Sequence, residues 1–529
     1  MVANPKQILL IENDPHMVRS VPRRLKLAGY EVVVAKTVEE ARYALDHALF
    51  QLAIIDIRVQ DDHNTEDTSG FTLARQLPAT IPCLFHTAHD TKANIREALG
   101  AIGAEDIIAK DDPEAPRKLL ARVNELFHSR VGVNFGLIIQ SRIPLSTVAR
   151  QLARTGHYQE PRPQARDIKL ILQRLFYEAA QIQLTPLLTP LTSSSQSLSG
   201  AVLLRVQEKR HQGSLVPMVL KIGSKAEITE EAVHYRATKP FMGGQRLAQL
   251  EGEAYSRRIG GLLYSLIGAQ EMDTVKPLAE VLFTEDSHLV INLLQRFFQQ
   301  TFGQIYEDAQ PATLDLTDHY TAQLGLTVPK LRQRARQLDP SLLRAPTLLW
   351  PEVGRPLPNP LRLAIAGDQF RSLGAVATRV SLCHGDLHSR NILVDHEQHF
   401  WLIDFARSCT SHLLRDFAEL ESDIKFHVLP SQPLADFVAF EQALTTPTTW
   451  AEEPTAILLP TPLQRAFDLT AAVRRIAREQ LALEGNMSEY YQALFWHTLN
   501  IVRLKNRSAE RKWQALVSAA LLAEHLQGR

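Results

Sequence analysis

From Gln7 onward, short β-branched runs alternate with amphipathic stretches: QILLI, MVRSVPRRLKLAG, EVVVA, VEEARYALDHAL, LAIIDI, FTLARQL, PCLFHTA, ANIREALGAIGA, DIIAK and a last helix near Ala115 to Phe127. Strands alternating with helices of this length predict a doubly wound parallel sheet covered on both faces. Beyond residue 128 the pattern changes. LSTVARQLART and DIKLILQRLFYEAAQI repeat apolar residues at i, i+3, i+4 and predict amphipathic helices, and the Ser/Thr/Pro-rich LTPLLTPLTSSSQSLSG predicts a loop. AVLLRVQ and LVPMVLKIG then read as neighbouring strands joined by EKRHQGS, followed by a helix, AEITEEAVHYRAT, and a strand with a hinge, GGLLYSLIGA. The chain turns largely helical to about residue 340. NILVD and FWLID predict a strand pair, and the C-terminal segments around TPLQRAFDLTAAVRRIAREQL, EYYQALFWHTLNIVRL and KWQALVSAALLAEHL predict helices with aromatics turned to a core.

At 529 residues the chain exceeds one hydrophobic core and should divide into two to four domains. Lys plus Arg equals Asp plus Glu at 58 each, so no net field favours a nucleic-acid partner. LSTVARQLART could open a DNA-binding helix pair, but no second helix with clustered Arg, Lys, Asn or Gln follows, and the segment breaks at Pro161 and Pro163. Cys83, Cys383 and Cys409 are too few and too scattered for a disulfide framework or a metal knuckle, which fits a reducing cytoplasm. No window approaches a membrane-spanning run, and the N-terminus is unlike a signal peptide, so a cytoplasmic location with no membrane contact is expected.

The polar residues of the first part fall at strand carboxyl ends, where ligands sit in such sheets. Glu12, Asn13 and Asp14 follow the first strand, Asp56 closes LAIID, Thr87 closes CLFHT and Lys110 closes DIIAK. Carboxylates beside a lysine and a hydroxyl suit a hard divalent cation together with an anionic group. This order and spacing resemble the receiver domain of bacterial response regulators, with its flavodoxin-like fold, over roughly residues 5 to 128. The resemblance implies Asp56 as phospho-acceptor, Thr87 as switch hydroxyl, Lys110 as phosphate-binding amine, and Glu12, Asp14 and Asp56 around Mg2+. It also implies a histidine kinase or other phosphodonor, and leaves a homodimer through the receiver open. The sequence departs from that pattern at four places. Asn13 supplies an amide in the acidic pair, Asp111 follows Lys110 where proline is usual, Ile107 stands at the switch aromatic, and RVQDDHNTEDTSG lengthens the loop after Asp56. A receiver-shaped docking module that is never phosphorylated is the competing reading.

The second part centres on CHGDLHSRNILVDHEQHFWLIDFA, Cys383 to Ala406. Phosphoryl transfer requires magnesium to neutralise phosphates, a lysine to hold them and a base for the attacking hydroxyl. A lone strand lysine, Lys221, precedes a helix bearing Glu227, Glu230 and Glu231; Asp386 and Asn391 keep the interval of a kinase catalytic loop, and WLID delivers Asp404. HGDLHSRNILVD followed by IDFA resembles the aminoglycoside and choline kinase group, with its α+β, two-lobed protein-kinase-like fold, across about residues 198 to 525. The resemblance implies Asp386 as catalytic base, Asn391 and Asp404 as magnesium ligands, and Lys221 on the ATP phosphates, paired with Glu231 or else with Glu230 or Glu227. Asp416 would fix the loop. The phosphate-covering loop, SSSQSLSGA, offers Ser199 and Gly200 where the family has a glycine-rich run, and Ala406 replaces the glycine of DFG. His384 and His388 have the spacing of HExxH, but the glutamate is missing and the segment reads as a loop, so structural histidines are expected.

The whole chain looks like a receiver fused to a kinase-like domain of the sort found in bacterial ternary-complex-associated proteins. The expected organisation is a receiver over 1–128, a helical connector and loop over 129–197, and a phosphotransferase over 198–529, with an N-lobe to about 275 and a helical C-lobe beyond. The expected function is ATP/Mg-dependent phosphorylation of an unidentified hydroxyl acceptor, regulated or docked by the receiver. The alternative is a non-catalytic scaffold whose kinase-shaped part binds a nucleotide or a protein.

Overall fold

The computed structural model describes residues 6–48, 50–61, 64–77, 81–129, 133–134, 136–155, 162–177, 179–187, 200–209, 218–242, 248–256, 258–269, 274–366, 375–455, 457–504 and 507–527. The chain divides into two compact units. The first comprises Met1–Thr185, Glu208–Leu215 and Gly252–Gly261; the second comprises Pro186–Gln207, Val216–Glu251 and Leu262–Arg529.

In the first unit, β1 (Lys6–Ile11), β2 (Tyr30–Ala35), β3 (Leu52–Ile55), β4 (Cys83–Thr87) and β5 (Asp106–Ala109) form a parallel sheet in the order β2-β1-β3-β4-β5. Side chains alternate across a strand, so the apolar runs serve two cores at once. Leu9, Ile11, Ala53, Ile55 and Phe85 fill one face, and Ile8, Leu10, Leu52, Ile54 and Leu84 fill the other. The covering helices are α1 (Met17–Leu27), α2 (Val38–His47), α3 (Ser69–Gln76), α4 (Lys92–Arg96) and α5 (Ala115–Ser129). Local chemistry fixes their starts: the Thr37 side chain accepts from Glu40 N and caps α2. Gly70, at the start of α3, passes so close to β3 that an added Cβ would lie 1.9 Å from the Asp56 carbonyl oxygen.

The expected helical connector is only partly helical. α6 (Leu145–Thr155) forms as predicted, whereas α7 (Ala165–Leu175) ends before the second half of the helix expected over DIKLILQRLFYEAAQI, whose last two residues, Gln181 and Ile182, instead open β7 (Gln181–Pro186), a strand that pairs in parallel with β6 (Ile138–Ser141). β6 alternates exposed and half-buried residues with no fully buried position, too weak an apolar pattern to read as a strand. Asp167 caps α7 and binds Arg258 at 3.1 Å.

In the second unit, β8 (Val202–Lys209) pairs antiparallel with β9 (Met218–Ser224), placing Leu203 opposite Lys221. α8 (Lys225–Thr238) follows at once, started by a reciprocal cap between Ser224 and Glu227. Ile392–Val394 and Phe400–Leu402 pair antiparallel, as the NILVD and WLID runs predict. The stretch expected to be largely helical to residue 340 is broken by the strand Gln310–Leu314, which pairs with Val376–Cys383. Its five residues include Pro311, so it reads as a helix break rather than a strand. Helices Ser287–Glu307, Arg415–Asp423, Leu434–Leu444, Thr461–Leu481, Ser488–Arg503 and Ala509–Gln527 make the body of this unit. Their core holds Phe297, Phe298, Phe302 and Phe417, together with a buried ionic network. In that network Arg474 forms two hydrogen bonds with Glu421, and Lys425 lies 2.8 Å from Glu441. No helix among the described residues is long and apolar enough to cross a membrane.

Candidate functional site

Three of the predicted residues in the first unit meet at the carboxyl edge of the sheet. Lys110 Nζ lies 2.5 Å from Asp56 Oδ2 and 2.8 Å from Glu12 Oε2. Asp56 Oδ1 accepts from Ile57 N at 2.7 Å. Burial pushes the Glu12 carboxyl up to about 7, with Lys110 opposing and Asp56 adding to the rise. Burial alone would lower the Lys110 amine, but Asp56 and Glu12 outweigh it and raise it. Thr87 is fully buried, and its hydroxyl accepts from His89 N at 3.2 Å. Asp14 turns its carboxylate to His16 N, at 2.7 Å, and so shapes the entry to α1. Asn13 Oδ1 is buried without a hydrogen-bond partner among the described residues. An orphaned oxygen next to Glu12 fits a site that accepts a cation. Within the long acidic loop, Asp67 organises the chain, since its Oδ2 accepts from Gln60 N and Asp61 N, both at 2.9 Å. The acidity of that loop thus serves its own backbone, a role its composition did not indicate.

In the second unit, three elements distant in sequence converge on one amine. Lys221, buried on β9, places Nζ 2.7 Å from Glu231 Oε2 and 2.6 Å from Asp404 Oδ2. Tyr264 donates to the other Glu231 oxygen at 2.7 Å. Of the three glutamates on α8, Glu227 is used by the helix cap and Glu230 is exposed, which leaves Glu231 facing the lysine. Burial disfavours the charged amine, but Asp404 and Glu231 overcome that and raise the Lys221 pKa. Burial likewise pushes Asp404 upward, and Lys221 more than offsets it, holding the carboxylate ionised. Glu231 goes the other way: burial raises it despite the lysine.

Asp404 sits at φ +70, a left-handed conformation that costs energy for a side-chain-bearing residue and is held here by its surroundings. Phe405 packs between Tyr235 and His384, and His234 Nδ1 lies 2.6 Å from the Ala406 carbonyl oxygen. The preceding loop is equally fixed. Asp416 accepts from His384 N and Gly385 N, at 2.7 and 2.9 Å, and Asp423 accepts from Ser389 N at 2.8 Å. Asn391 donates to the Asp386 carbonyl at 2.9 Å, which ties together the two ends of the Asp386-to-Asn391 interval. His384 Nε2 lies 3.1 Å from the Ile403 carbonyl oxygen and so anchors backbone, as expected of a structural histidine.

Gly385 adopts φ +78, and a Cβ there would lie 2.2 Å from the Arg407 carbonyl oxygen, so this loop and the one after Asp404 touch. Two residues beside Asp386 escaped the sequence reading. Arg407 NH1 lies 3.7 Å from Asp386 Oδ1, and Glu419 accepts from Leu387 N at 3.3 Å. Only the position of Arg407, directly after IDFA, could have signalled it. Gly200, buried at φ +76, precedes β8, whereas Ser199 lies outside the described residues.

Residues 8–124 match the family model of the response regulator receiver domain, and residues 353–501 match that of ternary complex associated domain 9. The chain is 28% identical over 125 residues to the swarming motility regulation protein RssB of Serratia marcescens, covering 24% of this chain and 54% of that protein. It is 32% identical over 119 residues to the regulatory protein VanR of Enterococcus faecium, covering 22% and 48% respectively. The chain spans about half the length of these curated relatives. The crystal structure of a CheY-like response regulator receiver domain protein from Methanospirillum hungatei JF-1 matches at 27% identity and a TM-score of 0.21, covering 23% of this chain and 94% of that one.

Proposed function

Residues 8–124 being a response-regulator receiver domain, which implies a phosphodonor such as a histidine kinase, we propose that the chain couples this receiver to an ATP- and magnesium-dependent phosphotransferase in its second unit, acting on a hydroxyl acceptor. The observation that carries the reading is the placement of Lys221 between Glu231 and Asp404, 2.7 and 2.6 Å away, beside the loop that holds Asp386 and Asn391.

Each group has a task in that chemistry. Lys221, oriented by Glu231, holds nucleotide phosphates; Asp404 and the side-chain oxygen of Asn391 are hard oxygen donors of the kind Mg2+ selects. The ion supplies charge neutralisation on the phosphates. Asp386 takes the proton of the acceptor hydroxyl, and the backbone anchors from Asp416 and Asp423 keep it from drifting. In the receiver, Asp56 is the proposed phosphoryl acceptor, Lys110 its charge partner and Thr87 the hydroxyl that follows the modification.

Calorimetric titration of ATP with Mg2+ into the wild type and into Asp404→Asn tests the reading. Binding that weakens in the variant, with turnover lost in Asp386→Ala, is the expected result. Absence of binding to the wild type would leave a scaffold in place of an enzyme.

A further inference from the structure

The strands Val376–Cys383 and Cys409–His412 lie antiparallel, and their register sets Cys383 opposite Cys409. Leu413 N donates to the Arg379 carbonyl oxygen at 3.1 Å, and hydrogen-bonded pairs alternate with non-bonded ones along such a ladder, so the two cysteines form a hydrogen-bonded pair. Opposed residues of that kind turn their side chains to one face with Cα atoms about 5.5 Å apart, inside the range of about 4.4 to 6.8 Å that a disulfide spans. The two positions also frame the candidate site. Cys383 lies just before the loop of Asp386, and Cys409 closes the loop that begins at Asp404.

The two sulfurs differ in their surroundings. Cys383 is buried, and its thiol points to the Ser381 and His412 carbonyl oxygens at 3.7 and 3.5 Å, weak contacts that a sulfhydryl gives up readily. Cys409 is half-buried; its Sγ accepts from Arg415 NH1 at 3.3 Å and faces Gln323 Oε1 at 3.8 Å. The Arg415 guanidinium is thus placed to steady the negative charge that this sulfur carries when it attacks. The same buried guanidinium donates to the Gly385 carbonyl oxygen at 2.7 Å, so one cation spans the Cys409 sulfur and the loop of Asp386. Cys83 is built differently: it is buried on β4 in the first unit, with Ala53 as its partner on β3.

We propose that Cys383 and Cys409 are a modification site, joined by a reversible disulfide when the chain meets a hydroperoxide. The proposal stands without the phosphotransferase reading, because the link follows from strand register. Cys409 gives up its proton and attacks a peroxide oxygen; the O–O bond breaks, a sulfenic acid forms, and with hydrogen peroxide the departing oxygen takes the proton and leaves as water. Cys383 then turns about χ1 and its sulfur attacks the sulfenic sulfur; the S–S bond forms, the S–O bond breaks, and the hydroxide leaves as water with the Cys383 proton. Two thiols are oxidised by two electrons and one peroxide is reduced. The product fastens the stem of the Asp386 loop to that of the Asp404 loop, and a thiol reductant releases it. Where thiols are kept reduced the pair rests open, so the link registers an oxidising episode rather than building the fold.

The test exposes the full native chain to equimolar hydrogen peroxide, alkylates the remaining thiols with iodoacetamide under denaturing conditions and maps unreduced tryptic peptides by mass spectrometry. Cleavage after Arg379, Arg390, Arg407 and Arg415 puts the two cysteines on separate peptides, 380–390 and 408–415. The expected result is loss of two of the three free thiols, with those peptides joined in one species lighter by two hydrogens than their sum, while Cys83 stays alkylated. Dithiothreitol should restore both thiols, and non-reducing electrophoresis should keep the product at the mass of one chain. Cys383→Ala should leave Cys409 as a sulfenic acid trapped by dimedone, and Cys409→Ser should leave the Cys383 thiol alkylated. The wild-type map decides the matter even where a variant fails to fold. All three thiols alkylated after peroxide, Cys409 carried to sulfinic acid with Cys383 still a thiol, or a link between chains rather than within one overturns the proposal.

Discussion

Lys221 Nζ and Asp404 Oδ2 stand 2.6 Å apart although one belongs to β9 and the other follows the strand Phe400–Leu402. Together with Glu231 they form a buried triad in which one cation serves two carboxylates. Such a group stabilises only while its charges match.

Lys221→Met should therefore cost about 3 to 5 kcal/mol, since it leaves Asp404 as an uncompensated buried charge. Adding Asp404→Asn should recover part of that loss. Urea unfolding of the two variants followed by fluorescence checks both statements.

Glu12 makes the receiver sensitive to pH. Its carboxyl titrates near 7 in the folded chain against 4.5 ordinarily, so between those values the native state binds a proton that the unfolded state has released. Stability should fall as pH rises from about 4.5 to 7, by on the order of 3 kcal/mol, and level off above. Glu12→Gln should flatten this slope in denaturation curves taken across that range.

Asn13→Asp places a carboxylate at a position where the amide oxygen has no partner among the described residues, next to the proposed magnesium ligands of the receiver. Magnesium affinity at the receiver should rise roughly tenfold, because cation affinity follows ligand charge. Titration of Mg2+ into the two proteins reads this directly, and unchanged affinity would place the cation away from residue 13.

Gly385→Ala forces a side chain into the left-handed region and against the Arg407 carbonyl. The conformation alone costs about 1 to 3 kcal/mol. Under the proposed phosphotransferase function, turnover should drop more than nucleotide affinity, because the change displaces the loop of Asp386 rather than Lys221; parallel kinetic and calorimetric measurements separate the two.

Much of this was written locally in the chain. The β/α alternation of residues 7 to 127 foretold the receiver sheet, because strands buried on both faces must be apolar throughout. The Asp386-to-Asn391 interval and the pair of strands after it also follow from short-range pattern. What stayed hidden depends on distant partners. Glu227, Glu230 and Glu231 are chemically alike, and only helix phase plus the Ser224 cap decides which one reaches the lysine. Arg407, Glu419 and Tyr264 look like ordinary surface or core residues until the fold brings them to Asp386 and Glu231. β6 and β7 were missed because half-exposed short strands carry little apolar signal.

The stretch 353–501 that matches ternary complex associated domain 9 includes Asp386, Asn391 and Asp404 but neither Lys221 nor Glu231. A protein cut at those edges would sever the last turn of Ser488–Arg503 and discard Ala509–Gln527, the helix packed against it. It would also set Asp404 free of the amine that keeps it ionised in the interior. The boundary of sequence kinship and the boundary of electrostatic self-sufficiency are different lines on this chain, and the smallest piece able to fold with its charges balanced has to reach back to β9.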